Sequence, residues 1–431
     1  MLLILGLATA CFANLFAGET LQLKLVPDRD VVLKGQEVVI KIDLSAIAEK
    51  KKSRRTPLNL AVVLDKSGSM TGAKIEKTRQ AAMQLVDRLA PDDVFSLVIF
   101  SDHAEVLVPA QKVTDKEALK EKIESIEADG STALYAGVKM GADELSEYLS
   151  PRRINRIILL SDGLANVGPS SPGQLRRLGG DLAERGISVT TIGVGDDYNE
   201  DLMAALAEAS DANYYYVQDT EKLPGIFAKE LGEMQSVAAR DVRIEIICPE
   251  GVRPLGFIGR PEKFAGQQAA VNLSQFTTGQ SRYLFLRCLV DGDQPEVAHV
   301  KVNYTDELNG GNVVIADDVA KVRFSDDQSD SDKSVNGAVV AEKELVLTAV
   351  AKDAALAEAD AGNYQKAAQI LAAQGNVLGQ SYAAAPAAVQ YQLRGEMDNI
   401  SSFTNQFENG QYDSASRKVM QAQSWNTRNA K

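Results

Sequence analysis

Hydrophobic and polar positions fall into three successive textures. Between residues 20 and 48 they alternate, as in LQLKLVP and EVVIKIDL, the period of half-buried antiparallel strands. From Leu58 the apolar runs become continuous: LNLAVVLD, DVFSLVIFSD, RIILLSDG and ISVTTIGVGD read as strands covered on both faces. Helical spacing fills the gaps, with Ile75, Ala82, Leu85, Val86 and Leu89 on one stripe. Further helices are predicted over TDKEALKEKIESI (capped by Thr114), ALYAGVKMGADELSEYL, SPGQLRRLGGDLAERG, NEDLMAALAEAS and residues 220–235. AEVLVPAQ is expected at a sheet edge and YYYV as a short strand. Strands and helices that alternate through short connections predict a doubly wound, mostly parallel α/β sheet.

After Ala239 the period of two returns in DVRIEI, YLFLRCLV, VKVNY and KVRFS. β segments therefore bracket the α/β unit. The economical arrangement is one antiparallel β-sandwich with the α/β domain inserted between its early and late strands, since residues 20–48 supply too few strands for a domain of their own. An N-terminal β arm packed on the α/β domain is the alternative. SDDQSDSDKS is acidic and Ser-rich, without the glycine and terminal Glu of an EF-hand loop, and reads as a solvated linker. Beyond it the chain is Ala-rich and helical. Gly362-Asn-Tyr364-Gln-Lys-Ala367 and Gly410-Gln-Tyr412-Asp-Ser-Ala415 share one spacing, as in paired helices where a small residue allows close approach and an aromatic fills the gap. A C-terminal α-helical bundle is expected. The predicted organisation is a leader over 1–18, β segment 19–56, α/β domain 57–237, β segment 238–325, acidic linker 326–334 and helical domain 335–431.

Composition narrows the function. The 431 residues suit two or three domains, and 45% apolar content is enough for real cores. A formal net charge of −13 argues against a nucleic-acid partner, which needs a basic surface. With only 2 histidines, His103 and His299, HExxH peptidases and sites built from several imidazoles are excluded. Glycine-rich phosphate loops and GxSxG elbows are absent from the sequence. The first residues, MLLILGLATACFANLFAGE, are apolar but short for a membrane span, with small residues that suit signal-peptidase cleavage. No basic residue precedes the run, a departure from an ordinary signal. The expectation is export to the periplasm, cell surface or medium. Membrane association is expected only through a retained leader or a lipidated Cys11; a buried N-terminal strand is the alternative. Cys248 and Cys288 sit in strand-like segments of one region, as a disulfide or as two buried thiols.

AVVLDKSGSM raises the chemical question. A buried strand runs into Asp65, and Ser67 and Ser69 follow on alternate residues around Gly68, which lets the chain curl. Gathered together, these side chains make an all-oxygen nest with little net charge, which suits a hard divalent cation. The other reading is a turn whose oxygens merely cap backbone donors. Two loops expected beside it carry further oxygens: Thr132 in ADGSTALYAG, and Asp162 at the end of RIILLSDG. Ligands bind at such carboxyl ends of strands in α/β sheets.

Asp65, Ser67, Ser69, then Thr132, then Asp162 resembles the metal-ion-dependent adhesion site (Asp-x-Ser-x-Ser, distant Thr, Asp) of von Willebrand factor type A domains. The resemblance runs from about Pro57 to Gln235. It implies a Rossmann-like α/β fold and Mg²⁺ or Mn²⁺, with Ca²⁺ a poorer fit, held by hydroxyls directly and by aspartates directly or through water. It further implies an open coordination position for an Asp or Glu side chain of a protein partner. The flanks are loosely similar to inter-alpha-trypsin-inhibitor heavy chains and to calcium-activated chloride channel-like proteins, though no segment after the leader could form a pore. The function so implied is a non-enzymatic, metal-dependent adhesion or assembly module of the cell envelope. The alternatives are a metal-dependent enzyme or subunit of a chelatase or ATPase machine, and a structural envelope protein whose metal only stabilises it.

Overall fold

The computed structural model describes residues 20–48 and 55–429; the leader with Cys11 and residues 49–54 of the basic run lie outside them. The chain opens with strands β1 (Leu21–Pro27), β2 (Val31–Val32) and β3 (Gln36–Ala46). The α/β unit follows: β4 (Leu58–Asp65), α1 (Ala73–Arg88), β5 (Val94–Phe100), β6 (Ala104–Lys112), α2 (Lys116–Glu124), α3 (Leu134–Glu147), β7 (Ile154–Ser161), α4 (Pro172–Glu184), β8 (Ile187–Val194), α5 (Glu200–Ala209), β9 (Tyr214–Val217) and α6 (Leu223–Gln235). Its six strands run in the order β6-β5-β4-β7-β8-β9, with only β6 antiparallel, at the edge.

The period of two explains why β4 can be wholly apolar. Leu58, Leu60, Val62 and Leu64 face α1, α2 and α6, whereas Ala61 and Val63 face α3 to α5. Each face is a dry core, and the chain order places β5 and β7 on either side of β4. The sheet therefore changes direction of winding at β4, and the loops after β4 and β7 open onto the same crevice. One local expectation is corrected: Asp115, not Thr114, caps α2, its carboxylate accepting from the Ala118 amide at 3.0 Å. A carboxylate at this position also favours the positive end of the helix, which a hydroxyl does not.

A single residue, Ser236, separates α6 from β10 (Val237–Ile247). There follow β11 (Val252–Phe257), β12 (Gln268–Thr277), β13 (Ser281–Val290), β14 (Glu296–Asp306), β15 (Asn312–Lys321) and β16 (Arg323–Phe324). One antiparallel sheet has the order β1-β3-β13-β11 and a second the order β12-β10-β14-β15. Strands from before and after the α/β unit thus pair directly, β3 with β13 over ten residues from Ser281↔Ser45 to Val290↔Gln36. Ile40 and Leu286 of the first sheet and Ile244 and Val300 of the second share one apolar core. Cys248 and Cys288 meet in that core as two unbonded thiols with sulfurs 3.9 Å apart.

The acidic stretch departs from a fully solvated linker. β16 pairs in parallel with β2, and α7 (Gln328–Lys333) buries Ser331 and ends at Ser334, whose hydroxyl accepts from the Val31 amide. Asp327 caps the helix, so part of the acidic charge serves its positive end. The rest is helical: α8 (Gly337–Asp360), α9 (Tyr364–Ala384), α10 (Ala387–Glu408) and α11 (Ser414–Asn429). Tyr364 and Tyr412, the aromatics of the repeated spacing, cluster around Phe407, and Ala367 is fully buried. α11 reaches back to the α/β unit. Its Trp425 enters the core there, edge-on to Tyr214 at 6.0 Å, while Arg417 and Lys418 pair with Glu200 at 2.6 and 2.8 Å. Among the described residues no helix is long and apolar enough to cross a membrane.

Candidate metal centre

Asp65 ends β4 beside Ser161, the last residue of β7, because Leu64 and Leu160 are in register. The chain then curls into a 3₁₀ turn over Gly68–Met70 that begins after Ser67. The turn is anchored from outside: the Lys66 amide donates to Phe100 O at 2.9 Å and the Gly68 amide to Gly130 O at 3.0 Å. The loops after β4 and β5 and the loop before α3 are thereby held as one rim.

Four of the five oxygens singled out in the sequence are tied to one another or to the same strand ends. Asp65 accepts from the Ser67 amide at 2.8 Å and from the Ser161 hydroxyl. Ser67 and Ser69 hydroxyls lie 3.1 Å apart, and Ser69 donates to Asp162 at 2.7 Å. Thr132 joins through the loop after β7. Its amide donates to the Asn166 side chain at 2.9 Å, and its carbonyl accepts from the Asn166 and Val167 amides. A Cβ on Gly163 would sit 2.7 Å from the Thr132 hydroxyl, so a side chain there would have to push that hydroxyl aside. Asp65, Ser67, Thr132 and Asp162 are buried, whereas Ser69 is exposed and marks the open side.

The two aspartates differ in their electrostatic surroundings. Burial is the main influence on Asp65 and pushes its pKa up to about 6; hydrogen bonds from Ser161 and Ser67 oppose the shift, and the neighbouring Asp162 charge adds to it. Lys74 reaches from α1 to Asp162, Nζ to Oδ2 at 2.5 Å. Among the described residues no group of three or more His, Cys, Asp and Glu could hold a metal, so hydroxyls must complete any cation site here. Two carboxylates and three hydroxyls are an all-oxygen set suited to a hard divalent ion rather than to zinc.

Reading the sequence alone misses Ser161, Lys74 and Asn166. Ser161 reads as the last strand residue, and Lys74 as a helix surface residue. Only the β4–β7 register and the packing of α1 over the crevice give them roles. Asn166, four residues past Asp162 in a polar loop, carries a legible signal as a side chain able to bond a neighbouring backbone.

Residues 59–229 match the model of the von Willebrand factor type A domain. The protein sll0103 of Synechocystis is 29% identical over 278 residues, which covers 61% of this chain and 65% of that one. Bovine inter-alpha-trypsin inhibitor heavy chain H4 is 39% identical over 125 residues, or 27% of this chain and 14% of its own. The chain therefore spans less than two thirds of either relative. A solved structure, a von Willebrand factor type A protein from Catenulispora acidiphila, superposes with a TM-score of 0.72 at 18% identity over 89% of both chains, a likeness of fold. Strand order, crevice and family match agree: the α/β unit of this chain is a von Willebrand factor type A domain.

Proposed function

We propose that this chain is a non-enzymatic protein-binding module, exported to the cell envelope, that uses Mg²⁺ or Mn²⁺ to engage an acidic side chain of a protein partner. One observation carries the reading: the buried carboxylates of Asp65 and Asp162 and the hydroxyls of Ser67 and Ser69 are linked at the strand ends, with buried Thr132 on the adjoining loop and Ser69 alone of the five open to solvent. Asp65, Ser67, Ser69, Thr132 and Asp162 would hold the ion. When bound, the ion supplies a Lewis-acidic position that a partner's Asp or Glu can occupy, since Mg²⁺ keeps exchangeable water in its shell. The chain's own work is positional. Ser161 orients Asp65, Asn166 fixes Thr132, and Gly163 lets the two loops approach. Around this domain we read a single β-sandwich, residues 19–56 with 238–325, that carries it as an insertion over 57–237, and the helical region over 335–431 as an assembly surface.

Isothermal titration with Mg²⁺, followed by capture of partners from an envelope fraction, tests the reading. Wild type should bind the ion and retain a partner in Mg²⁺ or Mn²⁺, and lose it in EDTA. The Asp65→Ala/Thr132→Ala variant should do neither. Ion binding without any metal-dependent partner would leave a purely stabilising metal, and identical partners in every condition would overturn the proposal.

A further inference from the structure

The opposite end of the parallel sheet holds a cleft of about 1030 Å³, bounded by the α/β domain, the β-sheets and the C-terminal helix. β7 spans eight residues, which puts the cleft ~25 Å from the candidate metal centre. Seven of the chain's 21 arginines line it, from all three parts of the molecule, and among the described residues no lysine does. Five acidic residues share the walls, so the lining carries a net positive charge on a chain whose total is −13.

The ion pairs leave part of that charge uncommitted. Glu208 is shared by Arg176 and Arg428 at 2.6 and 3.0 Å, Asp241 pairs with Arg240, and Glu262 with Arg260. Asp211 is held by Arg282, which does not line the cleft. Among the described residues Arg153 has only neutral acceptors, the carbonyls of Leu58 and Asp92 at 3.0 and 2.9 Å. Arg185 donates to the Ser146 hydroxyl at 2.6 Å and is exposed, and Arg243 pairs only with Glu245 of its own strand. A guanidinium is planar, weakly hydrated and matched to two oxygens at once, so arginine without lysine is the composition of an oxyanion site rather than of a merely solvated face. The volume suits a small molecule with several charged groups better than a single ion.

We infer that this cleft binds a small multivalent oxyanion bearing phosphate or sulfate groups, on Arg153, Arg185 and Arg243. An occupant held on these three would bridge the α/β domain and the β-sheets and so favour their docked arrangement. The test is calorimetric titration of the full chain with pyrophosphate, inorganic sulfate and a trisulfated disaccharide, in EDTA and at constant ionic strength. One saturable site is expected for pyrophosphate or for the disaccharide, the stronger of the two identifying phosphate or sulfate as the natural group. Arg185→Gln/Arg243→Gln, both at exposed positions, should weaken it at least tenfold while leaving the unliganded melting temperature unchanged. Arg153→Gln serves as an independent second variant with the same expected loss. Arg287→Gln, on the β-sheets outside the cleft, should bind as wild type does. No saturable heat, or equal binding by the cleft variants and wild type, would overturn the inference.

Discussion

Asp65 and Glu208 are carboxylates of the same domain, both largely withdrawn from water, and they meet opposite fates. Burial tends to raise Glu208 as well, yet Arg428 and Arg176 outweigh it and hold the carboxyl below the ordinary glutamate range. Asp65 has the negative Asp162 for a neighbour and rises to about 6. The seam with α11 brings its own cations: Arg417 and Lys418 serve Glu200 just as Arg428 serves Glu208. The crevice above β4 and β7 supplies a cation, Lys74, but it lies on Asp162 rather than on Asp65. A buried charge without a partner costs several kcal/mol; at the seam with α11 the chain's own cations meet that cost, whereas at Asp65 the proposed ion would have to.

The largest expected effect is at the seam. Lys418→Met leaves Glu200 short of one of its two cations at a site where the Lys418 side chain is only 3% exposed, and should destabilise the protein by about 3 kcal/mol. Denaturant unfolding followed by emission of Trp425, the one tryptophan, measures this, because that indole lies in the same seam.

Asp65→Asn should do the reverse when metal is absent. A carboxyl whose folded pKa is about 6 against an ordinary 3.8 binds its proton more tightly in the folded state. Its contribution to stability is fully present below pH 3.8 and is lost as pH rises through 6, about 3 kcal/mol in all. In EDTA the wild type should therefore lose stability over that window and Asp65→Asn should not. The variant should be more stable at pH 7.5 by about 2 kcal/mol and gain nothing from Mg²⁺. Thermal melts across pH 4–8 decide it; parallel curves for the two proteins would remove Asp65 as the source of that loss.

Gly163→Ala should have a smaller effect on the fold. The added methyl must push the Thr132 hydroxyl from 2.7 Å, at a cost of about 1–2 kcal/mol in stability. Mg²⁺ titration should show a larger proportional loss, because the displaced atom is a proposed ligand. The smallest effect on the fold is expected from Ser161→Ala, which removes a hydrogen bond to Asp65 and should weaken Mg²⁺ binding about tenfold by the same titration, with little change in melting temperature.

These residues also mark how far the sequence could be read. Period and run length were enough for the α/β unit, because β4, β5, β7 and β8 are buried along their whole length and no other element produces four such runs separated by helices. Asp65, Ser67 and Ser69 were legible because five adjacent residues carry them. Thr132 and Asp162 needed the strand order as well. Ser161 and Lys74 were not legible, since their chemistry arises from the register of two strands 96 residues apart and from the packing of a helix. The same holds for α11. Its sequence announces a helix, but nothing in that pattern says that Trp425 is received by a domain some 200 residues earlier in the chain.

Ser236 has a mechanical consequence. It is the only residue between α6 and β10, its carbonyl accepts from Thr278 at 2.9 Å, and Glu230 on α6 is fastened to Thr190, Asn213 and Tyr215. The exit from the α/β domain therefore contains no slack. Tension applied by a captured partner would load the helix and the strand in series rather than first drawing out a tether, so the pull would arrive at the β-sheets undiminished and the joint would behave as a stiff coupling rather than a hinge.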